Sequence, residues 1–195
     1  MRWIWMRHGE TKENRERCYL GHYDAPLSAR GRQQVEAAAE LLAGQTITRI
    51  YTSDLLRCVE TAVGIAAARG VVPIHTSGLR ELDFGEWDCK TYDEIMNDDP
   101  ERVKSWYNNP YITAPPNGET LLMLGDRVDR FLCTLSLDMQ ADETALLVSH
   151  GGPIRWFQAT WMTDQAAPFW QMPGVEPAGF FAVSYNGERW IVENL

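Results

Sequence analysis

The sequence predicts an α/β fold in three layers, an α/β/α sandwich with helices on both faces of a mainly parallel central sheet. Three observations carry that expectation. Short apolar runs of strand length, at 1–6, 48–51 and 145–148, alternate with helical stretches around 29–43, 55–69 and 119–137. The run Ala145-Leu146-Leu147-Val148 is continuously apolar, as a strand covered on both faces requires. Two of the runs end alike, in a histidine followed at once by a glycine: His8-Gly9 and His150-Gly151.

Met1–Met6 is long enough for one buried strand and too short for anything else. Asp24-Ala25-Pro26-Leu27 reads as a turn, with Ser28 as the N-cap of a helix over 29–43. Val35, Ala38, Leu41 and Leu42 supply its apolar spacing, and Gly44 closes it. Thr48–Tyr51 follows as a β-branched strand, and Thr52-Ser53-Asp54 is expected to cap a second helix ending near Arg69 and Gly70. Val71–His75 is the next extended piece. Residues 78–118 break the rhythm: a loop over 79–88, then short helices near 91–97 and 100–108 carrying Tyr92, Trp106 and Tyr107. Asn109-Pro110 and Pro115-Pro116-Asn117-Gly118 punctuate its end. The segment reads equally as a cap over a site or as an insertion packed on the domain edge. A long amphipathic helix over 119–137 returns to order, with Leu121, Leu124, Val128, Phe131 and Leu135 on one face. Pro153 suits a helix start after His150, and Phe180–Tyr185 and Arg189–Val192 flank the hairpin signal Asn186-Gly187.

With 195 residues, 45% of them hydrophobic, the chain is expected to form one domain with a substantial core. A formal charge of −9 argues against nucleic acid as a partner, because backbone binding needs clustered positive charge. An anionic small molecule remains compatible with a local basic pocket. No apolar run approaches the roughly 20 residues of a membrane span or the apolar region of a signal peptide. Cys18, Cys58, Cys89 and Cys133 have no metal-binding or redox spacing, so reduced thiols in a cytoplasmic protein are expected. The histidines and carboxylates show no ligand pattern, and neither a metal nor another cofactor is expected.

Arg7-His8-Gly9 is the stretch with chemical content. An arginine fork neutralises phosphoryl oxygens in a bidentate way, and an imidazole beside it can attack phosphorus. The glycine is expected to let backbone amides approach a bound group. The tripeptide alone is equally compatible with a surface His–Arg pair. The second strand-end histidine changes that balance, because ligands of α/β sheets sit beyond the carboxyl ends of parallel strands. His8 and His150 would then share one pocket if their strands are neighbours.

Four motifs in order resemble the histidine phosphatase superfamily, also called phosphoglycerate mutase-like. They are Arg7-His8-Gly9-Glu10-Thr11 with Asn14, Ser53-Asp54-Leu55-Leu56-Arg57 with Glu60-Thr61-Ala62, Leu79-Arg80-Glu81-Leu82-Asp83-Phe84-Gly85, and Ser149-His150-Gly151-Gly152. The resemblance spans nearly the whole chain. It implies that His8 is a nucleophile forming a phosphohistidine, and that Arg7, Arg57 and His150 cradle the phosphoryl oxygens. Asn14 and the Gly151 amide would be neutral donors, and such a ring of donors is what phosphoryl transfer needs. Glu81 matches the proton donor, which must carry its proton beside the bound dianion; Asp83 and Glu86 are local competitors for that role. The substrate so implied is a small phosphate ester, and a homodimer is left open. The cofactor-dependent mutases of the superfamily carry an extra segment before the second histidine, so hydrolysis is expected rather than mutase chemistry. Tyr19-Leu20-Gly21-His22, Pro116-Asn117-Gly118-Glu119 and Val175-Glu176 resemble the α-ribazole phosphatase group, with broad-specificity phosphatases as the alternative. A non-catalytic phosphate-binding module is the reading from another class, and the presence of His8, Arg57, Glu81 and His150 argues against it.

Overall fold

The computed structural model of the chain describes residues 1–163 and 168–193. In chain order the elements are β1 (Arg2–Arg7), α1 (Lys12–Arg15), α2 (Ala29–Leu41), β2 (Arg49–Ser53), α3 (Leu56–Ala66) and β3 (Ile74–Thr76). Then come α4 (Tyr92–Asp98), α5 (Pro100–Asn108), α6 (Leu121–Asp138), β4 (Thr144–Ser149), α7 (Gly151–Thr160), β5 (Phe180–Tyr185) and β6 (Trp190–Glu193). The strands form one six-stranded sheet in the order β3-β2-β4-β1-β5-β6. The first four run parallel, and β5 and β6 close the edge as an antiparallel hairpin. The expected mainly parallel sheet is therefore present.

Side chains alternate across the sheet, and each face has its own apolar cluster. Ile4, Met6, Ile50, Leu146 and Val148 pack under α2 and α3, against Val35, Leu42, Cys58 and Ile65. Trp3, Trp5, Ala145 and Leu147 face the other way and meet Leu124 and Val128 of α6 and Phe157 of α7. These are the three layers. Every residue of β4 is buried, which explains its unbroken apolar run. The 78–118 segment joins the second cluster through Trp87, Ile95, Val103 and Trp106.

Several local expectations shift. Thr52 and Ser53 continue β2 rather than capping a helix, because β2 pairs with β4 and β3 up to those residues. The first α3 amide is capped from a distant loop, Leu56 donating to Asp24 Oδ1 at 2.6 Å. The amide that Ser53 Oγ accepts is that of Leu55, just ahead of the helix, at 3.3 Å. The helix also stops earlier, at Ala66, and the next strand is shortened to Ile74–Thr76. Leu41 points to solvent, because Val35, Ala38 and Leu42 complete the buried stripe of α2 without it. A short helix, α1, lies in what reads as a loop and is held by a capping box between Thr11 and Asn14. Ser28 does cap α2, the long helix falls at 121–138, and the Asn186-Gly187 hairpin forms.

Candidate active site

β1 and β4 are parallel neighbours, with Arg7 in register with Ser149. The next residue of each chain segment, His8 and His150, therefore emerges side by side at the carboxyl edge of the sheet. Their ring centroids are 5.1 Å apart. The His8 backbone is fixed on both sides, its amide donating to Ser149 and its carbonyl accepting from Ala178, each at 3.0 Å.

His8 is buried, and its Nδ1 lies 2.7 Å from the Gly9 carbonyl oxygen. A carbonyl can only accept, so Nδ1 carries the proton and Nε2 keeps its lone pair in the neutral ring. Burial pulls the His8 pKa well below the usual imidazole value, with the charges of Arg57 and Arg7 adding to it, against the bond to Gly9. The ring is thus neutral through the physiological range. Gly9 serves differently from the sequence expectation. Its amide donates to Thr61 Oγ1 at 3.1 Å, and a Cβ at Gly9 would press on the Gly31 carbonyl of α2 at 2.7 Å. The glycine brings the loop against α2 rather than baring an amide to a ligand.

Arg57 is fully buried on α3. Its Nη1 donates to the Tyr23 carbonyl at 2.9 Å, its Nη2 to the Gly21 carbonyl at 2.6 Å and its Nε to His150 Nδ1 at 3.2 Å. A guanidinium can only donate, so His150 Nδ1 accepts and Nε2 carries the proton, which goes to Ser53 Oγ at 2.9 Å. Burial, reinforced by Arg57, His8 and Arg7, lowers the His150 pKa far below its ordinary value. Cys58 lies behind the ring, its Sγ 3.3 Å from Nε2, and burial pushes its thiol pKa up.

Glu81 sits at the N-terminus of α7. The Gly152 amide donates to its two carboxylate oxygens at 3.0 and 3.1 Å, and the Leu82 amide to Oε1 at 2.8 Å. A Cβ at position 152 would overlap Glu81 Oε1, so a side chain there would push the carboxylate out of this position. The Glu81 carbonyl is pinned by Arg127 Nη2 and His22 Nε2, both at 3.0 Å.

Arg7, Glu81, Gly151 and Gly152 line a cleft of about 250 Å³. Its far wall is aromatic: Tyr19, Phe84, Trp106, Tyr107, Phe169 and Trp170. His8, Arg57 and His150 are buried and do not line this cleft themselves; His8 and His150 adjoin its lining residues Arg7 and Gly151 in the chain. Asn14 is placed by its Oδ1, which accepts the Thr11 amide in the α1 capping box. Glu10 and Thr11, though inside the first motif, act on structure: Glu10 Oε1 accepts from Ser28 Oγ at 2.8 Å, and Thr11 caps α1. Sequence reasoning missed Arg127, Arg155, Phe169 and Trp170. Among the described residues no cluster of three His, Cys, Asp or Glu is arranged to hold a metal ion, and no helix is long and apolar enough to cross a membrane.

Two neutral, buried histidines tie stability to pH. In the unfolded chain each ring takes a proton near pH 6.5, whereas the folded rings resist it, so the unfolded state binds more protons below that pH. Stability is expected to fall as pH drops from 6.5 toward 5, by up to about 1.4 kcal/mol per pH unit for each ring. Urea midpoints across that window test it; a flat profile would mean that the rings titrate alike in both states.

Comparison with known proteins places these residues in context. The family model described as histidine phosphatase superfamily (branch 1) matches residues 3–195. The adenosylcobalamin/alpha-ribazole phosphatase of Escherichia coli K12 is 32% identical over 168 residues, 86% of this chain and 82% of that protein. Phosphoglycerate mutase-like protein 4 of Arabidopsis thaliana is 40% identical over 157 residues, 77% of this chain and 66% of its own length. The crystal structure of the alpha-ribazole phosphatase from Shigella flexneri superposes with a TM-score of 0.91 at 30% identity, covering 100% of this chain and 96% of that one.

Proposed function

The chain belongs to the histidine phosphatase superfamily and is a phosphoric monoester hydrolase, and we propose that it acts through a phosphohistidine on His8, with α-ribazole 5′-phosphate as its substrate. The observation that carries the mechanism is the tautomer of His8. Its Nδ1–H is spent on the Gly9 carbonyl, so the ring presents Nε2 as a nucleophile without needing a base.

In this reading Nε2 attacks phosphorus as the P–O ester bond breaks. Glu81 gives its proton to the departing oxygen. In the second step the Glu81 carboxylate takes a proton from water, the water oxygen bonds to phosphorus, and the N–P bond breaks to release inorganic phosphate and restore His8. Arg7 and Arg57 hold the phosphoryl oxygens: each Arg57 Nη bonded to a carbonyl keeps a second N–H to give. His150 acts in this reading by accepting the Arg57 Nε–H at its Nδ1, which orients the guanidinium toward the phosphoryl oxygens. The Gly151 amide and the Asn14 amide nitrogen complete the ring of donors. No metal ion or other cofactor enters these steps. With four free thiols, Cys18, Cys58, Cys89 and Cys133, the protein suits a reducing cytoplasm.

The substrate assignment is supported by the printed names of the relatives and by the aromatic wall. Tyr107 and Trp170 expose aromatic surface at the cleft, beside the buried Trp106, and such surface suits a planar base. The test is kcat/KM, without added metal, on α-ribazole 5′-phosphate, AMP, 3-phosphoglycerate and p-nitrophenyl phosphate. The expected result is a preference of about a hundredfold for the ribazole ester, roughly 3 kcal/mol of transition-state discrimination. Similar rates on all four esters would replace that substrate with a broad range.

A further inference from the structure

The cleft holds a second arginine that the steps above do not use. Arg155 lies on α7 one helical turn beyond Gly151, so its Cα is about 5–6 Å further along the helix from the Gly151 amide. Arg2, Arg49, Arg80 and Arg127 each meet a carboxylate. Among the described residues Arg155 has no ion-pair partner, and its buried Nε has no acceptor. A buried N–H without an acceptor is costly, and a lasting instance calls for an explanation. Gly174 leaves it room: a Cβ there would lie 3.2 Å from Arg155 Nη2. In the aromatic wall of the same cleft, the buried Trp106 Nε1 also lacks an acceptor. The carboxylate of Glu81, by contrast, already accepts from two amides. Around the space beyond the phosphoryl group the unpaired polar atoms are donors.

We infer that Arg155 is a specificity-determining residue, binding a hydrogen-bond acceptor on the leaving group of the ester, on the side of the cleft walled by Trp106 and Trp170. The inference rests on the phosphatase reading and adds to it the chemistry of the leaving group. That group carries an acceptor, either a neutral oxygen or ring nitrogen or a carboxylate. A leaving group whose only polar function is an ammonium is disfavoured, because it would meet donors and a like charge.

The experiment compares the wild-type chain with Arg155→Met and Arg155→Gln on phenyl phosphate, α-ribazole 5′-phosphate and 3-phosphoglycerate. Phenyl phosphate offers no acceptor beyond the phosphate, so it reports on the His8 machinery alone. The expected result is that Arg155→Met lowers the ratio of kcat/KM on the preferred acceptor-bearing ester to that on phenyl phosphate at least tenfold, mainly through KM. Arg155→Gln, which keeps a neutral donor, recovers part of that ratio for the ribazole ester and little for the carboxylate. An equal loss on all three esters would put Arg155 at the phosphate and overturn the inference, as would an unchanged ratio. Failure of the His8 mechanism would show separately, as turnover of phenyl phosphate that survives removal of the His8 imidazole. Matching melting temperatures guard against a folding defect.

Discussion

Replacing His8 with alanine is expected to lower kcat/KM by about ten-thousandfold or more on every phosphate ester, roughly 5.5 kcal/mol of transition-state stabilisation. The size follows from the covalent route. Without Nε2 there is no phosphoenzyme, and water would have to attack a phosphoryl group that the buried cradle holds for a different nucleophile. Arg57, His150 and Glu81 are held by bonds that do not involve the His8 ring, so the cradle should survive the change. Binding of inorganic phosphate is therefore expected to stay within a few fold of wild type. Steady-state rates alongside phosphate inhibition check both halves. His8→Ala with near wild-type turnover would remove the mechanism.

Arg57→Met should have the next largest effect, a loss in kcat/KM of about a thousandfold, ~4 kcal/mol. Its side chain is fully buried and serves three acceptors at once. Its removal leaves the Tyr23 and Gly21 carbonyls without their donor and frees His150 Nδ1. Each abandoned acceptor costs about 1–3 kcal/mol, so a drop in melting temperature is expected as well. A readout that mere loosening would not move is the acid limb of kcat/KM. Arg57 is the largest charge depressing both histidines, so its loss should move that limb to higher pH. Arg57→Lys keeps the charge without the planar fork. It should hold the limb in place while recovering only part of the rate. A limb that stays put in Arg57→Met would separate Arg57 from the electrostatics of the two rings.

The sheet and the two histidines were legible because their signals are local. A short apolar run, a strand-end histidine and a following glycine lie within a few adjacent residues, and parallel pairing of β1 with β4 then carries His8 to His150. Ser28, the long helix α6 and the Asn186-Gly187 hairpin are likewise written in neighbouring residues. What stayed hidden depends on partners far apart in the chain. Asp24 caps α3 from 32 residues away, and no propensity at Thr52-Ser53-Asp54 could reveal it. Arg127 reads as one more polar position on an amphipathic helix, yet it fixes the Glu81 backbone from 46 residues away. Gly9 and Gly31 look like a catalytic loop glycine and a poor helix residue. They make sense together, as the place where that loop touches α2. Arg155 is hidden for another reason: its meaning lies in partners it lacks, which a sequence does not display.

The most direct test is to trap the phosphoenzyme. Wild-type chain mixed with a 32P-labelled ester and quenched in alkali within milliseconds should carry label that is stable to base and released by acid, as a phosphoramidate is. Peptide mapping should place it on the peptide containing His8, and His8→Ala should carry none. Acid-stable label, label on another peptide, or rapid turnover with no labelled protein would contradict the account.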